Sequence, residues 1–133
     1  MLQAYRKANR AELFFEELKE EIITRSQLIN NVMDDGNMDG FLTTNISDGW
    51  VRYRGMSWGI AVCRDPGSIV MTWGPDGPFV GSRKVLLPRE SDGETVWHDE
   101  WDENLIFESA AELANYGLAV LAGMVGDTIP LIR

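Results

Sequence analysis

Apolar positions in residues 2–33 recur at alternating steps of four and three: Ala11, Phe15, Leu18, Ile22, Arg25, Ile29 and Val32. That spacing predicts one long helix, or two shorter ones, with a heptad-like stripe interrupted once by a charge. Leu13, Phe14 and Ile23 widen the stripe beyond a bare coiled-coil seam. Packing on a sheet is therefore the first expectation, and pairing with a second copy in a homodimer the second. From Gly49 the period changes from helical to twofold. Trp50, Arg52 and Arg54 alternate with Val51 and Tyr53, and Trp58, Ile60 and Val62 alternate with Gly59, Ala61 and Cys63. Asp65-Pro66-Gly67 and Gly74-Pro75-Asp76-Gly77-Pro78 punctuate two further strands, Ser68 to Trp73 and Phe79 to Leu87. Connections this short predict antiparallel neighbours, because a parallel pair needs a crossover of about a dozen residues or more.

Beyond the strands, Pro88 to Glu103 reads as a polar, acidic connection in which Asp92-Gly93 can turn a hairpin and Glu94 to Trp97 add a fifth strand. Leu105-Ile106-Phe107 is a short apolar strand or bend. Ser109-Ala110-Ala111-Glu112 is a capping box that opens a helix running to about Val125, apolar nearly all round and stopped at Gly126. Ala114, Gly117 and Ala122 would let that helix approach another backbone closely. Consecutive strands between terminal helices predict a single α+β domain over 1–133. Its parts are a long helix within 1–33, an antiparallel meander of four to five strands centred on 49–87, an acidic connection over 88–108, and a buried helix over 109–126 packed on the sheet.

Charge is segregated along this pattern. The chain carries a net charge of −9, yet residues 49–89 hold six bases against two acids, and residues 90–114 hold nine acids and no base. Overall acidity argues against nonspecific nucleic-acid binding, which needs a basic footprint on phosphates. The opening residues lack the apolar stretch of a secretory signal, and the run Leu113 to Val125 is too short to span a bilayer. A single cysteine, Cys63, precludes an intrachain disulfide. These features point to a cytoplasmic protein, of cellular origin or encoded by a virus or mobile element.

Candidate chemistry is sparse. One histidine, His98, excludes any His–His metal site within one chain, and a cluster with Glu94 and Asp102 would need a helix there. Cys63 reads as a small buried hydrophobe with no neighbouring base. Motifs for nucleotide binding, zinc hydrolysis or serine nucleophiles are absent from the sequence, so a non-enzymatic protein without a cofactor is expected.

From Asp35 the order D-G-N-M-D-G-F-L resembles the first two-thirds of an EF-hand calcium loop. That resemblance implies oxygen ligands from Asp35, Asn37, Asp39 and the Phe41 carbonyl. The twelfth position is Ile46 instead of a bidentate glutamate, and no exit helix follows, so a helix-ending loop is the plainer reading.

Two surfaces compete for function. The acidic segment, with Trp97, Asp99, Glu100, Trp101, Asp102 and Glu103, would engage a protein partner, as in an inhibitor, adaptor or specialised chaperone. The basic strands, with Trp50, Arg52, Arg54 and Arg83, would hold a small phosphate- or carboxylate-bearing ligand. The opposing expectation is internal compensation, in which the acids fold over the bases and the tryptophans cover the sheet.

Overall fold

The computed structural model describes residues 2–33, 41–45, 50–53, 58–65, 67–75 and 81–124, with side chains for 12–28, 59–64, 67–74 and 81–124. One uninterrupted helix, α1 (Leu2–Met33), is followed by seven strands and a second helix. The strands are β1 (Phe41–Asn45), β2 (Trp50–Tyr53), β3 (Trp58–Asp65), β4 (Ser68–Pro75), β5 (Ser82–Ser91), β6 (Glu94–Asp99) and β7 (Ile106–Phe107). The last element is α2 (Ala110–Met124). Strand order in the sheet equals chain order, and every neighbouring pair is antiparallel. The α+β meander between two helices therefore stands. The five expected strands are β2 to β6, and the short β1 and β7 extend the sheet at its two ends.

The turn chemistry accounts for the register. Asp65 pairs with Ser68 across a turn in which Gly67 takes φ 78°. Ser91 pairs with Glu94 across Asp92 and Gly93, at φ 52° and 80°. Two consecutive positive φ values are the tight-hairpin geometry that Asp-Gly favours. The first half of the acidic connection therefore forms the β5–β6 hairpin, as its Asp-Gly turn signal predicts. Pairing of β4 with β5 ends at Leu86, whereas β6 follows β5 out to Ser91. The hairpin thus overhangs the sheet, and Pro88 falls where β5 has a free edge, the setting in which strands tolerate proline.

Paired residues share a face of the sheet. The inner face carries Ile60, Val62, Ile69, Met71, Trp73, Leu86, Trp97 and Phe107, all at most 5% exposed. Both helices cover that face, with Leu18 and Ile22 from α1 and Leu113, Ala114, Leu118 and Leu121 from α2 completing the core. Gly117 permits the closest approach: a Cβ there would lie 2.6 Å from Met71 Sδ and 2.7 Å from Ile60 Cδ1. The Trp73 indole donates a 2.9 Å hydrogen bond to the Gly117 carbonyl, so its buried N–H is satisfied.

The charged interruption of the α1 stripe meets a polar residue of α2. Arg25, the charge in the α1 stripe, donates to Glu21 Oε2 at 2.7 Å and, across the helix pair, to Asn115 Oδ1 at 3.3 Å. Ser109 Oγ accepts the Glu112 N–H at 3.2 Å, as the capping box predicts, while the Glu112 carboxylate accepts from the Glu108 N–H at 3.0 Å. The apolar α1 stripe serves the single chain over its described part, since Leu18 and Ile22 are fully buried within the monomer. Side chains of Ala11, Ile29 and Val32, and the expected stop at Gly126, lie outside the described residues.

Two substitutions test this packing. Ile22→Glu places an unpaired charge in the core and should remove more than about 4 kcal/mol of stability, seen as loss of a cooperative thermal transition. A folded, soluble monomer would instead place Ile22 at a surface between copies. Gly117→Val should cost about 1–3 kcal/mol by overpacking, read as a lower urea midpoint with an unchanged slope.

Candidate functional site

The segment after β6 is built by its own aspartates. Asp99 Oδ2 accepts the Trp101 N–H at 3.2 Å, and Asp102 Oδ1 accepts the Asn104 N–H at 3.0 Å. Each is an aspartate capturing a backbone donor two residues on, a turn that this side chain favours for its reach. Backbone bonds close the rest: Asp99 N–H to Leu105 O at 3.0 Å, Leu105 N–H to Asp102 O at 3.1 Å, and Glu100 N–H to Val85 O at 3.1 Å. The loop over residues 100–104 is therefore pinned at both ends and internally braced.

Beneath it lies a part-buried ion pair. Lys84, on the inner face of β5, meets Asp99 Oδ1 at 2.9 Å, with Asp99 only 4% exposed. Its ammonium also sits 6.0 Å from the centre of the Tyr116 ring on α2. Burial by itself would raise the Asp99 carboxyl pKa. The hydrogen bond and charge of Lys84, with backbone donors of Trp101 and Asp102, outweigh that and hold it below the ordinary aspartate value. Burial likewise would lower Lys84, but Asp99 and Tyr116 outweigh it and hold the ammonium above the ordinary lysine value.

The six residues expected to meet a partner therefore divide. Trp97 is 1% exposed, stacked on Phe14 with ring centres 5.0 Å apart, and belongs to the core. Asp99 is the buried brace. Glu100, Asp102 and Glu103 are exposed, and Trp101 is 87% exposed. Among the described residues, internal compensation occurs between Asp99 and Lys84.

Of the basic set, Arg83 is exposed on the outer face of β5, opposite Lys84, as alternation predicts. The registers place Arg52 in the row of Gly59 and Gly74, three strand spacings from Arg83 and two residues along from its row, about 16 Å away. The side chains of Trp50 and Arg52, and all of Arg54, lie outside the described residues. So do Asp35, Asn37 and Asp39 of the calcium-like loop, while the Phe41 backbone begins β1.

Two readings need correction. Cys63 is exposed, because it points to the outer face near the turn end of the β3–β4 hairpin while Val62 points inward. Glu94 and His98 share a strand, not a helix, so four residues separate them by about 13 Å. His98 Nδ1 instead contacts the Asp99 carbonyl at 2.9 Å. Among the described residues no three His, Cys, Asp or Glu side chains come together as metal ligands. No helix among them is long and apolar enough to cross a membrane.

The ion pair makes a pH-dependent prediction. Asp99→Asn keeps an oxygen for the Trp101 N–H and removes the charge, so it should cost about 1–3 kcal/mol at neutral pH. The lowered Asp99 pKa contributes stability above the ordinary carboxylate range, near pH 4, and loses it as pH falls through the folded-state value. The raised Lys84 pKa contributes below about pH 10 and is lost as pH rises through its folded-state value. Urea unfolding across pH should show wild type and variant converging at both extremes, and a constant gap would deny the pair its role. Comparisons with protein-family models, curated proteins and solved structures gave no significant match, so this site is interpreted from its own geometry.

Proposed function

We propose that this chain is a non-enzymatic binding protein that docks Trp101, amid Glu100, Asp102 and Glu103, onto a basic macromolecular partner, as an inhibitor or adaptor would. The observation that carries the reading is Trp101 itself, a tryptophan left 87% exposed on a loop braced by hydrogen bonds. Isolated exposed aliphatic residues are commonplace on protein surfaces, but a projecting indole on ordered backbone presents a large apolar area with little ordering entropy left to lose. Aromatic anchors ringed by charge are the usual hot spots of protein interfaces. The surrounding acids would steer a basic partner into place, an effect that weakens with salt. A cytoplasmic setting belongs to the same proposal.

Immobilised wild-type protein should retain a basic partner from an extract of its source at low salt. Trp101→Ala should weaken that capture about 30-fold, the equivalent of about 2 kcal/mol. Glu100→Lys with Glu103→Lys should abolish the salt dependence, and thermal melts of all variants should match wild type. A partner held equally by all three forms would remove the loop from the interface.

A further inference from the structure

A second surface lies at the opposite end of β6 from Trp101, about 20 Å away along the strand. The first half of α1 faces the overhanging β5–β6 hairpin there, leaving a solvent-open groove of about 350 Å³. Leu13, Phe14 and Glu17 line it from the helix, and Glu94, Thr95 and Trp97 from the hairpin. Its floor is aromatic, with the half-buried Phe14 ring stacked on Trp97 at an interplanar angle of 28°. Leu13, 58% exposed, forms one apolar wall. Glu17 and Glu94 are exposed, and neither has an ion-pair partner among the described residues. Glu90, which accepts the Thr95 hydroxyl at 2.9 Å, adds a third negative charge nearby.

The geometry points to this groove as a receptor for an arginine side chain of a protein partner. The volume sits at the small end of ligand sites, room for one long side chain but little more. A planar guanidinium stacks on aromatic and aliphatic surface while its edge donates to a carboxylate, and Glu17 supplies one beside the aromatic floor here. A purely apolar group would desolvate Glu17 without pairing it, and an anion would meet like charge. Charge complementarity extends past the groove, since residues 90–114 carry no base at all. This site is independent of Trp101, and either can fail alone.

Nuclear magnetic resonance of the whole chain tests it, with Nα-acetyl-arginine amide as probe and its neutral isostere, Nα-acetyl-citrulline amide, as control. The arginine probe should give saturable amide shifts at Leu13, Glu17, Glu94 and Thr95, with the citrulline probe markedly weaker. Glu17→Gln should leave the spectrum folded and weaken arginine binding by about threefold, one exposed charge pair's worth. No saturable shift, an equal response to citrulline, or a response confined to the Trp101 indole would overturn the assignment. So would groove shifts on simple dilution, which would mean that a second copy of the chain fills the site.

Discussion

Three consecutive residues of α2 hold the molecule together. Gly117 lets the helix lie against Met71 and Ile60, with its carbonyl taken by the Trp73 indole. Tyr116 turns its ring edgewise to Trp73 and Phe107, at 6.5 and 5.1 Å between centres, and stands near the Lys84 ammonium. Asn115 reaches the other way to Arg25 of α1. Because a helix turns 100° per residue, successive side chains address different neighbours, and one turn of α2 can contact the sheet and the other helix together. Replacing the small residue at the centre would lift the helix and disturb all of these contacts together.

The Lys84–Asp99 pair extends that packing to the surface. Its carboxylate is shared between an ammonium below and backbone donors above, so the core and the loop over 100–104 are mechanically linked. A part-buried pair of this kind is weak evidence of net stabilisation, because desolvation opposes the Coulomb term. What it contributes here is direction. The loop leaves the sheet at one angle, and Trp101 is carried outward on backbone with few remaining degrees of freedom.

The segregation of charge along the chain acquires a structural meaning from this arrangement. One base of the strand region, Lys84, is turned inward to neutralise Asp99, the one buried aspartate among the described residues, while Arg83 and Arg89 remain exposed on the outer face. The other acids of the 90–114 segment are left largely to solvent, distributed among the Trp101 loop, the hairpin tip and the start of α2. Two acidic surfaces at the two ends of β6 suit an extended basic partner better than a compact anionic ligand.

The sequence by itself determined whatever depends on neighbours in the chain. Periodicity switching from helical to twofold, the Asp-Gly turn at 92–93, the Gly67 turn and the Ser109 cap each involve residues within a few positions, whose conformations are set by local sterics and hydrogen bonds. Exposure of the loop acids was half legible, since composition marked the segment as acidic but not which member faced inward. Only the tertiary structure decided that Asp99 and Trp97 are interior and that Trp101 is not. Strand register sets which inner-face side chain lies beside which, so Lys84 selects Asp99 from the nine acids of its stretch. The meeting of Arg25 with Asn115, 90 residues apart, likewise follows from helix packing and left no local trace. The Phe14 groove belongs to the same class, because it exists only where α1 passes a hairpin that overhangs its sheet.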